Sequence, residues 1–359
     1  MFTLISAKIS AIPTTLITGF LGAGKTTAIL HLLANKPQSE NWAVLVNEFG
    51  EIGIDSALLE SNVNKNKEKE VFIREVPGGC MCCASGVPMQ VALNQLISKS
   101  KPDRLIIEPT GLGHPKEVVN VLTSGKYQEL IKLQSILCLV DARNLNDTRY
   151  TTHPSFIQQL NIADIIIGAK ADKYSTQDEA KLSHFISENN LSSKELHLIQ
   201  QGNIDPQWLV QEHNITIKTK PTVGITVPSL DDSASKLTSD YKNEHTLSLA
   251  QQTKLKQDGF IELNNQGEGY FSKGWIFSNS HTFDHQKLFE LISSLNIARA
   301  KGVIITNKGT YSFNKSASEF STNKIAYSKD SRIELIDTDK KTLNKITYEQ
   351  LLMLKNDDL

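Results

Sequence analysis

Cysteine is the scarcest informative residue in this chain. There are four among 359 residues, and three of them occupy positions 80, 82 and 83. A disulfide framework spreads its cysteines, so this crowding argues against one and fits a metal site in a reducing, cytoplasmic compartment. The fourth, Cys138, lies in the apolar run Ile136-Leu-Cys-Leu-Val140 and reads as buried strand filler. Excess charge of either sign is also missing. The 38 basic and 39 acidic side chains leave a net charge of −1, which offers no field for nucleic acid or an anionic membrane. No run of about 18 apolar residues occurs, so no membrane span is expected. Met1 to Ala11 lack a basic flank and an apolar signal core, so they read as mature protein.

What is present is length enough for two domains, with an ordinary hydrophobic fraction of 39%. The first two hundred residues or so alternate between strands and helices. Strands are expected at 14–18, 42–46, 71–76, 104–107, 136–140 and 165–167, and helices at 26–35 and 87–98. Continuous apolar strands separated by helices predict an α/β fold, with a mostly parallel sheet covered by helices. From Asn214 the composition turns to Ser, Thr, Lys, Asp and Gln, which predicts a polar, partly mobile linker over 214–268. Strands near 270–277, 303–306, 310–313 and 332–336, with a helix over 284–295, predict a smaller C-terminal α+β domain over 269–359. The first domain is therefore expected to span 1–213.

One motif sits between the first strand and the first helix: Gly19-Phe-Leu-Gly22-Ala23-Gly24-Lys25-Thr26, followed by Thr27. This is a P-loop in its required context. Its glycines let backbone N–H groups turn toward phosphates, and the following helix points its positive end at the same anion. Lys25 is expected to neutralise the terminal phosphates, and Thr26 to offer a hydroxyl to Mg²⁺. Glu108 ends a neighbouring strand and reads as the Walker B-like acid on the Mg²⁺ shell. Lys25, Thr26 and Glu108 are thus the expected catalytic set. Gly111 stands where a γ-phosphate would draw in a switch loop through its N–H. Lys170 and Asp172 follow another strand, where Lys170 would pack along a base. Asp172 would accept from guanine N1–H and the 2-amino group, which favours GTP over ATP. No glutamine occupies the positions just after Gly111, so slow intrinsic hydrolysis is expected, with an acid from 48–55 as a water positioner.

Cys80, Cys82 and Cys83 supply soft thiolates suited to zinc, which takes four ligands. Using the adjacent pair requires the tight turn that Gly78 and Gly79 permit. A fourth ligand must come from elsewhere, and Glu51 and His114 are the candidates. A site with one exchangeable ligand suits transfer better than permanent structure.

These residues together resemble the CobW-type metallochaperone GTPases, also called zinc-regulated GTPase metalloprotein activators, and most closely their YeiR-like branch. The resemblance rests on the P-loop, Val46-Asn-Glu-Phe-Gly-Glu51-Ile-Gly-Ile-Asp55, Gly78-Gly-Cys-Met-Cys-Cys83 and Glu108-Pro-Thr-Gly-Leu-Gly-His-Pro115. More weakly, Ile297-Ala-Arg-Ala-Lys-Gly302 resembles a C-terminal segment of that family. The resemblance implies GTP/GDP, Mg²⁺ and Zn²⁺ (or another divalent metal) as cofactors and cargo. It implies a client metalloprotein as partner, with no nucleic acid and no membrane; a homo-oligomer stays open. Two departures stand out. Ala169 replaces the usual asparagine of the guanine motif, and the nine histidines are scattered rather than gathered in a linker tract. A single regulated metal site is therefore expected rather than bulk storage. The expected function is a GTP-hydrolysing zinc metallochaperone, slow by itself and stimulated by metal. The competing readings are a GTP-dependent zinc sensor without transfer and a P-loop kinase acting on a small molecule.

Overall fold

A computed structural model describes residues 11–46, 71–76, 87–213, 249–267, 269–316 and 319–356. At its centre is strand β1 (Ile12–Gly19), buried along nearly its whole length. It pairs in parallel with β4 (Arg104–Glu108) on one side and β5 (Ile131–Val140) on the other. Beyond them lie β2 (Trp42–Val46), β3 (Val71–Glu75), β6 (Ile165–Gly168) and β7 (Glu195–Leu198). The seven strands run in the order β3-β2-β4-β1-β5-β6-β7, and every pairing is parallel.

The two-residue period of a strand explains the apolar runs. Leu16, Ala43, Leu45, Leu105 and Ile107 enter the core on one face, while Ile17, Val44, Val46 and Ile106 enter the core on the other. Helix α2 (Val87–Ser100) covers the first face with Met89, Leu93 and Leu96. Helix α3 (Pro115–Leu122) joins it there through Val118, Val119 and Leu122. Helix α1 (Lys25–Asn35) covers the second face with Ala28, Ile29, Leu32 and Leu33. A third cluster lies beyond β5, where α4 (Pro154–Ile162) and α5 (Asp178–Glu188) bring Phe156, Leu160 and Leu182 onto Cys138 and Ile166. Cys138 is the buried strand residue expected of it, and burial pushes its thiol up to about 12.

The C-terminal domain is a six-stranded antiparallel sheet in the order β12-β11-β10-β13-β9-β8. Its strands are β8 (Phe260–Gly267), β9 (Tyr270–Ser278), β10 (Arg299–Thr306), β11 (Gly309–Ser316), β12 (Phe320–Lys324) and β13 (Asp330–Asp337). Helix α7 (His285–Ser294) packs Leu288, Phe289 and Ile292 on one face of this sheet. One expectation is corrected here. Leu249–Asp258 forms helix α6, and 260–267 is strand β8, bonded to β9. The linker reading fails over that stretch because β8 is an edge strand whose residues alternate toward solvent, with one of them buried, so its apolar content is low. Residues 214–248 lie outside the described residues.

The two domains share a core. Phe20 and Leu112 of the first domain cluster with Tyr270 and Ile336 of the second. Among the described residues no helix is long and apolar enough to cross a membrane.

Candidate nucleotide-binding site

The C-terminal ends of β1, β4 and β5 open on one edge of the parallel sheet, and the sequence-predicted residues gather there. Gly24 caps α1 with φ 99° and ψ 17°, a left-handed conformation that glycine adopts without strain. That turn sends Lys25 back over the loop, where its Nζ donates to the Gly19 carbonyl at 2.9 Å. The same ammonium lies 3.9 Å from Glu108 Oε1, and both side chains are buried. Ala23 is fully buried beneath the loop. A cavity of about 440 Å³ covers Gly22, Gly24, Lys25, Thr26, Thr27, Glu108 and Gly111. That volume lies within the range of small-molecule sites.

Gly111 packs closely on the loop. A Cβ placed on it would come within 3.1 Å of the Leu21 N and 3.2 Å of Lys25 Nζ. Any larger residue would push against the phosphate loop. Helix α4 fixes this turn from behind. The Gln159 amide donates to the Gly111 carbonyl at 2.9 Å, and the Ser155 hydroxyl donates to the Leu112 carbonyl at 2.8 Å. Both side chains are fully buried. Sequence reasoning missed Gln159 because it sits 48 residues beyond Gly111, with no local pattern to mark it.

Lys170 takes φ 61° and starts the turn that carries Asp172. Its side chain runs past the phosphate loop: a Cβ on Gly24 would meet Lys170 Cε at 3.8 Å. Asp172 is exposed on that turn. The loop keeps its shape without the asparagine that Ala169 replaces. Ala169 is buried, its N–H donates to the Val140 carbonyl at 2.8 Å, and the Ala171 N–H donates to the Ile199 carbonyl at 2.9 Å.

Lys170 also meets a cluster the sequence did not reveal. Its Nζ lies 3.3 Å from Asp141 and 3.2 Å from Glu319, which comes from the C-terminal domain. Arg143 bridges the same two carboxylates, at 2.6 Å and 2.9 Å, and Lys173 pairs with Glu319 as well. Burial pushes the Glu319 carboxyl up. Hydrogen bonds from Lys173 and Arg143, with the charge of Lys170, overcome that and bring it down to about 2.

The expected metal ligands are less visible. Cys80, Cys82, Cys83 and Glu51 lie outside the described residues, as does the 48–55 segment. His114 is half-buried and stands at the N-cap of α3. Among the described residues no group of three or more His, Cys, Asp or Glu side chains could hold a metal ion. The strand ends that border the thiol segment are defined. Val46, last in β2, is the register partner of Glu108. Its carbonyl accepts from the Val76 N–H at 3.1 Å. Cys80 follows Val76 by four positions.

Comparison with known proteins identifies the family. Residues 13–196 match the family model described as CobW/HypB/UreG, nucleotide-binding domain. The chain is 38% identical to "Zinc chaperone YeiR" of Escherichia coli K12 over 338 residues, which are 93% of this chain and 95% of that protein. It is 30% identical to "Zinc chaperone YjiA" of the same organism, over 58% of this chain and 66% of the relative. It is 28% identical to "Zinc chaperone CobW" of Pseudomonas aeruginosa, over 54% of this chain and 50% of the relative. With a phosphate loop, a buried acid beside its lysine and a family match over residues 13–196, this chain belongs to the CobW/HypB/UreG family.

Proposed function

We propose that this protein is a GTP-hydrolysing zinc metallochaperone that couples its nucleotide state to a metal site at Cys80, Cys82 and Cys83. The observation that carries the reading is the junction of β2, β3 and β4. The acid Glu108, the last residue of β2 and the last described residue before the thiol segment are joined through one register pair and one hydrogen bond. A change at the phosphates therefore has a short path to Val76, which precedes Cys80 by four positions in the sequence. The zinc-chaperone names of relatives that match most of the chain support the choice of cargo.

In this reading Gly19, Gly22, Ala23, Gly24 and Thr27 shape the phosphate cradle, and Lys25 offsets the phosphate charge. The Thr26 hydroxyl and the buried Glu108 carboxylate are hard oxygen donors on one cavity, which suits Mg²⁺ held together with phosphates. When bound there, Mg²⁺ would supply charge neutralisation for the phosphoryl oxygens. Gly111 lies beside Lys25, with no room for a side chain between them, so it can report the terminal phosphate to the 110–114 turn. Lys170 and Asp172 read guanine. Zinc is cargo: it rests on the thiols, with Glu51 or His114 as the exchangeable ligand, and passes to a client metalloprotein in the cytoplasm.

The test is GTP hydrolysis by metal-free protein titrated with Zn²⁺, beside a Cys80/Cys82/Cys83 triple serine variant. Zinc stimulation that disappears in the variant is expected. Equal turnover with and without zinc in both proteins would uncouple the sites and sink the reading. Activation of an apo client only with this protein, GTP and zinc together separates transfer from sensing.

A further inference from the structure

The cavity over the phosphate loop has two walls, and the second is the polar face of the C-terminal sheet. Along β10, Ala300 and Ile304 enter the apolar core under α7. By the two-residue period of a strand, Arg299 and Lys301 face the other way. Both line the cavity with Lys25, Thr26 and Glu108. Asn314, the register partner of Lys301 on β11, accepts from Arg299 Nε at 3.3 Å and holds that guanidinium in place. The end of β11 reaches the loop itself, since a Cβ on Gly22 would come within 3.9 Å of Ser316 Cβ.

The charge pattern suits an anion: Lys25, Arg299, Lys301 and Lys324 line the cavity against one carboxylate, Glu108. Lys301 is 3% exposed and 3.5 Å from Glu334. Burial lowers its ammonium, Glu334 raises it in part and Lys25 lowers it further, to about 8. Two buried cations facing one cavity repel each other, and a polyanion between them offsets that repulsion.

We infer that Arg299 and Lys301 are nucleotide-contacting residues that reach from the C-terminal domain to the phosphates held by Lys25, so that bound GTP is gripped by both domains. This rests on the GTP reading above. It gives the C-terminal domain a part in the nucleotide cycle that the phosphate-loop motif alone does not assign.

The experiment is a titration of full-length, metal-free protein with a fluorescent GTP analogue in Mg²⁺ at several salt concentrations. Wild type is compared with Lys25→Ala, Arg299→Gln, Arg299→Lys and Lys301→Met. Arg299→Gln is expected to weaken binding about tenfold or more, the scale of one lost charge-assisted hydrogen bond. Its salt dependence should be shallower, and Arg299→Lys should recover part of the loss, which a purely structural role would not produce. Lys301→Met leaves Glu334 buried without its ammonium and risks misfolding; the half-buried Arg299 carries the test by itself, with circular dichroism verifying each fold. Wild-type affinity in Arg299→Gln, while Lys25→Ala abolishes binding, would overturn the two-domain grip and leave the GTP reading intact. No GTP binding by wild type would remove both.

Discussion

Glu319 shows at single-residue scale how a long-range partner escapes sequence reasoning. It lies 149 residues beyond Lys170 and 176 beyond Arg143, yet it meets both. Nothing in Ser-Ala-Ser-Glu-Phe marks it, because its role comes from the packing of two domains and not from local spacing. Lys25, Glu108 and Gly111 were legible because phosphate chemistry dictates residue types at short, fixed offsets from a strand. Glu319→Gln removes the anion shared by three cations. It is expected to lower stability at pH 7 by about 1 kcal/mol after allowance for solvent screening. The sign with pH follows from the depressed carboxyl. Its stabilisation is fully present above the ordinary glutamate range and fades as pH falls through about 2. Urea midpoints of wild type and variant should therefore differ at pH 7 and converge as the solution is acidified. A gap that stays constant down to pH 3 and below would show that the carboxylate charge is not the cause.

Among elements, the buried strands were legible and most edges were not, β3 being the edge strand that the sequence did mark. Strands β1, β4, β5 and β6 announce themselves as apolar, β-branched runs because both faces are covered. Strands β8 and β12 expose much of their length and carry polar residues such as Asn264, Asn265, Thr322 and Asn323. Their sequences look like loops because hydrogen bonding to a neighbouring strand, rather than burial, defines them. Helix α4 raises a different point. It was not among the helices expected from sequence, and its function here is carried by two polar residues. Ser155 and Gln159 lie four positions apart, on one side of the helix, and hold consecutive carbonyls of the Gly111-Leu112 turn. Gln159→Leu keeps the size of the side chain and removes the donor. The Gly111 carbonyl then loses its partner, at a cost of about 1–3 kcal/mol. Because that turn touches Lys25, the variant should also lose part of its preference for GTP over GDP. Calorimetric titration with each nucleotide checks this. Unchanged discrimination with reduced stability would make Gln159 a packing residue and nothing more.

At the scale of the whole molecule, the proposed function requires two couplings at the nucleotide site. One would run through the parallel sheet, where Glu108, Val46 and Val76 are joined. The other runs across the domain boundary, where Phe20 and Leu112 share a core with Tyr270 and Ile336. Allosteric coupling between bound species is reciprocal by thermodynamic necessity. If zinc changes GTP affinity by some factor, GTP must change zinc affinity by the same factor. A factor of about five or more is expected, the lower end of ordinary coupling between sites. Four titrations close the cycle: GTP with and without zinc, and zinc, buffered by a competing chelator, with and without GTP. The triple serine variant should show a factor of one for GTP, because zinc no longer has its ligands. A factor of one in wild type, with both ligands bound tightly, would mean that the β2–β3–β4 junction transmits nothing. The protein would then bind zinc and GTP independently, and a chaperone cycle driven by nucleotide would have no physical basis in this fold.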